Sequence, residues 1–324
     1  MKHKNFLSGR KLDEFLLSFS IFRFIKKFLG FSVIIPSLLL LFLSSPSFSD
    51  AFEAVVLKSA DIKPYDDVLK GFKRSCDCNE TVFLLSEIKN RDTILRKNPD
   101  AILTIGIEAL KYAQKIKDIP VIHTMIPFHH SQITGQKNIS GVCMFIQPAK
   151  QIDTILEVFP DTKRIGLIYD PRNTEEFVHE ALDTAKSKNI ELVAIRTFRA
   201  KDVPSIIESM KDKIDVFWML PDTTIVNSET IDAILLFSFQ HKIPVFAFSK
   251  KYVEMGATAA LGIDPYDMGI QAGEIAKKLF TEGNARGHIL SHPGKRVLII
   301  NRKIAKKLGL KIREEIFRKA DVYE

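Results

Sequence analysis

The sequence predicts two doubly wound α/β lobes, each a Rossmann-like unit built on a parallel sheet, joined by a hinge. Three observations predict it. Short, continuously apolar runs suit strands buried on both faces of a parallel sheet better than one-sided antiparallel strands. Amphipathic stretches of helical length separate those runs, and such alternation puts helices on both faces of the sheet. The pattern also occurs twice along 324 residues, a length that holds two domains of about 120–150 residues.

In chain order, apolar runs at 54–57, 82–85, 101–106 and 120–123 are the strands of the first half. Runs at 164–169, 191–195, 216–220, 244–248 and 257–261 are those of the second. Helix-like stretches lie between them at 64–75, 107–117, 149–159, 174–188, 203–211, 228–241 and 268–282. Pro120 and Pro244 each follow a short polar stretch and open a strand, where a missing N–H is tolerated. The lobes are expected at 50–145 and 146–324, with the crossover near 140–164 and the C-terminal segment a candidate to cross back over the hinge.

Charge separates a leader from the body. The net charge is +8, but residues 1–49 hold seven Lys/Arg against Asp13 and Glu14, which leaves 40 basic and 37 acidic groups in the rest. A body that close to neutral does not suggest a nucleic-acid surface. Lys26 and Lys27 precede an apolar run over 28–43, and Ser47 and Ser49 supply small residues before Asp50. This is the pattern of a secretory signal peptide cleaved near Asp50, with an uncleaved anchor over 28–43 as the alternative. Export to the periplasm is expected. An oxidising compartment leaves open a bond from Cys143 to Cys76 or Cys78, or no bond at all, while a one-residue Cys76–Cys78 loop is expected to be strained.

Ligands meet parallel sheets at the loops that follow the carboxyl ends of the strands. In the first half those loops carry Ser59, Asp61, Gly106, Glu108 and Thr124. In the second they carry Asn173, Asp222, Thr223, Ser249 and Asp264, with Tyr169 ending a strand. Asp222 and Asp264 would be anionic partners for an ammonium or hydroxyl. Each residue also has a purely structural reading. Asp61 and Asp222 suit helix caps, Asp170-Pro171 a turn, Asn173 or Thr174 a cap, and Gly106 a tight strand–helix turn. Tyr169, Phe145, Trp218 and Phe248 suit core packing, with one or two of them free to stack on a ligand.

Enzyme motifs are missing. The chain has no G-x-S-x-G elbow, no G-x-x-x-x-G-K-[ST], no G-x-G-x-x-G after a strand and no H-E-x-x-H. His123, His129 and His130 cluster, but no carboxylate or cysteine joins them at ligand spacing. No catalytic residue, metal or cofactor is expected. The basic tail over 303–319 is expected to pack one face on its lobe and to solvate the other.

Six segments carry a resemblance. They are Asn138-Ile-Ser-Gly-Val142, Phe159-Pro-Asp-Thr-Lys-Arg-Ile-Gly-Leu-Ile-Tyr169, Leu220-Pro-Asp-Thr-Thr224, Lys242-Ile-Pro-Val-Phe-Ala247, Gly262-Ile-Asp-Pro-Tyr-Asp-Met-Gly269 and the closing Asn301-Arg-Lys-Ile-Ala-Lys-Lys-Leu-Gly309. Their order and spacing resemble the ABC-transporter substrate-binding proteins of the tryptophan/tyrosine type. The resemblance implies the periplasmic-binding-protein type 1 fold and two lobes closing over a small polar or amino-acid-like solute. It also implies a cognate membrane permease as partner; a monomer is expected. The chain departs from the family at Ile107-Glu108 and at Met125-Ile-Pro-Phe-His-His130. Glu108 in the cleft would repel a carboxylate unless a cation answered it. A membrane-tethered sensor on the same fold is the rival reading.

Overall fold

Residues 52–126, 138–281 and 288–324 are described by the computed structural model. The leader at 1–49, and His129 and His130, lie outside the described residues. The first lobe begins with β1 (Glu53–Lys58), α1 (Lys63–Cys76), β2 (Asn79–Leu84), the short α2 (Asp92–Leu95), β3 (Ala101–Ile105), α3 (Ile107–Ala113), β4 (Val121–Thr124) and β5 (Ile139–Val142). The chain then enters the second lobe with α4 (Pro148–Val158), β6 (Arg164–Tyr169), α5 (Pro171–Ser187), β7 (Glu191–Arg196) and α6 (Val203–Glu208). β8 (Val216–Trp218), α7 (Ile231–His241), β9 (Val245–Ala247), α8 (Lys250–Met255) and β10 (Ala259–Ile263) follow.

From there the chain returns to the first lobe with α9 (Pro265–Thr281) and β11 (Leu290–Ser291). It crosses again to β12 (Arg296–Asn301), α10 (Arg302–Lys307), α11 (Glu314–Lys319) and β13 (Asp321–Tyr323). The division expected at 145/146 therefore marks the first of three crossings.

The first sheet has the order β11-β5-β4-β3-β1-β2 and is parallel throughout. The second has the order β13-β12-β10-β9-β8-β6-β7. It is mixed rather than purely parallel, because β12 pairs antiparallel with β10. The reason is topological. β12 arrives from an excursion into the other lobe instead of from a helix crossing its own sheet. In both orders the first strand of the lobe lies inside the sheet, as a doubly wound fold requires.

Strand alternation builds a core on each face of each sheet. Val216 and Trp218 face α4 and α5, while Phe217 and Met219 face α6, α7 and α8. In the first lobe Ala54 and Val56 face α1 and α9, and Val55 and Leu57 face α3. The basic tail divides into α10 and α11, and Ile316, Leu310 and Ile312 of this region join the second lobe's core.

Helix α9 belongs to the first lobe by packing. Methyl groups on Gly71, Gly269 or Gly273 would overlap, respectively, the Tyr266 carbonyl oxygen, the Val68 carbonyl oxygen and the Ser75 side chain. The Ser75 hydroxyl donates to the Ile270 carbonyl across the contact at 2.8 Å. Glycine is required here for the close approach of two backbones.

The cysteines correct an expectation. Cys76 is bonded to Cys78, and Cys143 is free and buried. Asp77 between the bonded pair adopts φ 57°, in the left-handed region. That turn at the end of α1 brings the two Cα atoms to 5.3 Å. Cys143 instead donates its thiol to the Ser291 carbonyl at 3.2 Å, where the first crossing leaves β5 beside β11.

Candidate functional site

Two sets of loops stand at the carboxyl ends of the two sheets. In the second lobe they are bound into one buried network. Asp170 ends β6 and caps α5, accepting from the Arg172 N–H at 2.9 Å, while Pro171 supplies a first helical residue that needs no donor. Asp222 follows β8, and it is 1 % exposed. Its carboxylate accepts four bonds: from the Asp170 N–H at 2.8 Å, Asn173 Nδ2 at 2.8 Å, the Thr174 hydroxyl at 3.1 Å and the Thr224 N–H at 3.0 Å. The Thr224 hydroxyl donates back to Asp170 at 2.7 Å.

Asp222 is thus spent inside the protein. Its expected role as an open anionic partner gives way to positioning: it fixes Asn173 and Thr224. Thr223 next to it is exposed. A kink at Thr174, with φ −139°, lets the first turn of α5 reach the network.

Asp170 is fully buried, and its carboxyl is held down to about 2, first by the Arg172 guanidinium, with the Thr224 hydroxyl and the Arg172 N–H helping against desolvation. A carboxyl depressed from 3.8 stabilises the fold at pH values above 3.8, and that contribution fades as pH falls toward 2. The acid limb of unfolding between about pH 4 and pH 2 is therefore expected to flatten in Asp170→Asn, read by urea midpoints measured across that range. An unchanged limb would show that Asp170 is not among the groups that set it.

Asp264, too, has its partners. It accepts the Lys295 ammonium at 2.7 Å and the N–H groups of Tyr266 and Asp267 at 3.0 and 3.3 Å. Burial pushes this carboxyl up, and Lys295 and the two N–H groups outweigh it, so it lies below its ordinary value. Asp267 accepts from the Lys295 N–H, and Gln271 bonds both His292 and Gly294. The second and third crossings are thereby laced to the start of α9.

In the first lobe, Gly106 has φ 94° and begins α3. A Cβ there would lie 2.7 Å from the Ser59 hydroxyl oxygen and overlap the Tyr65 hydroxyl. Ser59 accepts from the Ala109 N–H at 2.9 Å, satisfying an open donor of α3. Asp61 and Asp66 both accept from Lys58 at 2.7 Å. Lys58 is a buried cation that the apolar run concealed. Asp61, then Asp66, hold its ammonium above its ordinary value against the cost of burial. Glu108 is exposed and paired with Lys111 at 2.8 Å, so its charge is answered on its own helix. Thr124 is buried at the end of β4. Tyr169 packs in the second lobe's core, and Ser249 begins α8 without a side-chain cap bond.

The open space lies between these clusters and the first crossing. A cavity of about 90 Å³ is floored by Phe145 and Phe177 and walled by Pro221, Phe248, Leu261 and Ile263. A second, of about 250 Å³, shares Phe145 and Phe177 and reaches Asn173, Glu176 and His292. Phe145 stacks edge-on against Phe177 at 5.5 Å, and Phe177 against Trp218 at 5.4 Å. Trp218 donates to Gln151 at 3.0 Å, and Gln151 donates to the Ile146 carbonyl at 2.7 Å, which anchors the first crossing to α4. A larger cavity of about 500 Å³ lies at the amino ends of β6, β8 and β9, beside Asp161, Asp215 and Lys242. That is the wrong end of a parallel sheet for a ligand.

Sequence reasoning placed Lys58, Asp170 and Arg172 in the strand-end loops without their partners, and it missed Phe177 as a member of these clusters. Asp170-Pro171 read as a turn, with Asn173 or Thr174 as the cap, whereas Asp170 itself caps α5; Phe177 showed only helix-face periodicity.

Comparisons with known proteins agree with this architecture. The family model described as ABC transporter substrate binding protein matches residues 39–323. A "Tyrosine-binding protein" of Clostridioides difficile (strain R20291) is 32% identical over 181 residues, 53% of this chain and 52% of that protein. An uncharacterized protein of Rickettsia prowazekii (strain Madrid E) is 27% identical over 207 residues, 63% of each chain. The matched region thus spans between half and two-thirds of these relatives.

Among solved structures, an ABC domain in complex with L-Trp from Streptococcus pneumonia has a TM-score of 0.60 at 21% identity, covering 83% of this chain and 99% of that one. The ligand-free, open structure of a Clostridium difficile substrate binding protein with adhesive properties has a TM-score of 0.69 at 20% identity, covering 84% and 99%. At such identities the likeness is one of fold, the periplasmic-binding-protein type 1 architecture of two α/β lobes. The match over nearly all described residues is to a family of binding proteins, not enzymes: this chain belongs to the ABC transporter substrate-binding protein family.

Proposed function

We propose that the protein is the extracytoplasmic binding component of an ABC importer, and that its solute presents an aromatic or apolar group to the Phe145–Phe177 floor. The aromatic-lined cavity at the strand ends of the second lobe carries this reading. At about 90 Å³ it takes a side-chain-sized group only. With the adjoining cavity of about 250 Å³ it passes the lower bound of about 300 Å³ for a small-molecule site. Asn173, held by Asp222, supplies a polar group to the adjoining cavity. The names of the relatives make tyrosine and tryptophan the first solutes to test.

The mechanism is a population shift. A solute that touches both lobes favours the state in which they close, and a permease then recognises that state. The charged and apolar pattern of residues 1–49 supports export before the protein acts.

Calorimetric titration with tyrosine, tryptophan, phenylalanine and leucine tests the reading. Saturable binding of an aromatic solute is expected. Phe145→Ala should weaken it roughly tenfold to a hundredfold, the effect of losing a buried aromatic contact. Binding of none of these solutes, or an affinity unchanged in Phe145→Ala, would contradict the reading.

A further inference from the structure

Where the first and third crossings run side by side, two cationic side chains, Lys150 and Arg296, line a fourth cavity. This cavity, of about 80 Å³, is lined by Gln147 and Lys150 from the start of α4, His292 from the third crossing and Arg296 from the start of β12, with Phe145 beneath them. No acidic residue lines it. Lys295, the neighbouring cation, is spent on Asp264, and Lys188 at the end of α5 is spent on Asp153. Lys150 and Arg296 form no ion pair among the described residues. The 11-residue α4 also begins here, and Gln147 makes no side-chain cap bond to it. The amino end of that helix adds partial positive charge to the same space.

We propose that Lys150, His292 and Arg296 form an anion subsite at the hinge, taking a carboxylate or another small oxyanion. The arginine fork and the lysine ammonium give charge-assisted hydrogen bonds to such a group. Because Lys150 follows the first crossing while His292 lies on the third and Arg296 ends it, a bound anion ties the second-lobe ends of the two crossings together. The anion has two possible sources. It is the solute's own carboxylate, since the cavity shares Phe145, Gln147 and His292 with the 250 Å³ space beside it, or it is a free anion that binds alongside the solute. Only the first source rests on the function proposed above.

Trp218 is the single tryptophan of the chain. It is linked to the subsite by the rings of Phe177 and Phe145 and by the 5.9 Å contact of Phe145 with His292. Its fluorescence therefore reads occupancy. Acetate and sulfate are titrated into the protein at an ionic strength held constant with chloride, which removes general screening. Saturable binding is expected, weakened on the order of tenfold or more in Lys150→Ala/Arg296→Ala. Both side chains are exposed, so the double variant should melt like the wild type; Lys150→Gln alone gives an intermediate affinity in the same test.

A chloride response equal to that of acetate, the absence of saturation, or wild-type affinity in the double variant would overturn the subsite. Tyrosine titrated at saturating acetate separates the two sources: competition assigns the subsite to the solute carboxylate, and independent binding assigns it to a free anion. If no solute binds at all, the proposed function fails while the acetate titration still decides the subsite.

Discussion

Asp222→Ala is expected to lower the stability of the second lobe by about 3–5 kcal/mol, because it strands a buried set of donors. The carboxylate accepts from the Asp170 and Thr224 N–H groups and from the Asn173 and Thr174 side chains. Its removal leaves the buried Asp170 N–H and Thr174 hydroxyl without that acceptor, and each unsatisfied donor costs about 1–3 kcal/mol before relaxation. Asp222→Asn keeps one acceptor oxygen and should lose less. Urea unfolding separates the two variants. Solute affinity measured below the unfolding transition should also fall, since Asn173 and Thr224 lose their anchor. A carboxylate that touched solute directly would behave otherwise: affinity would collapse with stability nearly intact.

The second large effect concerns the helix that the first lobe takes back from the C-terminal half of the chain. Gly269→Ala and Gly71→Ala each place a methyl group inside the backbone of the facing helix. A flexible side chain could swing away from such a methyl, but a carbonyl held in a helix cannot. The cost should reach or exceed the roughly 1–3 kcal/mol typical of an overpacked core. The double variant should release α9 and β11 from the first lobe. Calorimetry would then resolve an early, broadened first-lobe transition ahead of the second lobe. Gly309→Ala is the control. Gly309 has φ 75° but nothing within 4 Å of an added Cβ, so it should lose only about 1 kcal/mol of conformational preference. Equal losses at Gly269 and Gly309 would contradict the close packing of α1 and α9.

Nine strands were legible in the sequence because each is an apolar run flanked by a helical period. β5 was not. Its Ile139-Ser-Gly-Val142 is four residues long with two non-apolar residues inside, and Gly141 is needed because a Cβ there would overlap His123. β12 is apolar over 297–300, but strand–helix alternation offers no position for a strand that pairs antiparallel with β10 after a long excursion. The residues at the strand ends were also legible, because a parallel sheet dictates where its loops point. Their partners were not. Asp222 meets Asp170 across 52 residues and Asp264 meets Lys295 across 31, and only that pairing decides whether a carboxylate is open to a ligand. Lys58 ends an apolar run, and nothing local signals that two carboxylates on the following turn and helix bury it.

Small-angle scattering with and without solute tests the central claim most directly. Two lobes joined by three crossings and closing over a solute predict a smaller radius of gyration at saturating aromatic solute, with Phe145→Ala requiring more solute for the same change. Saturable binding with no change in scattering would contradict closure as the working motion of this protein.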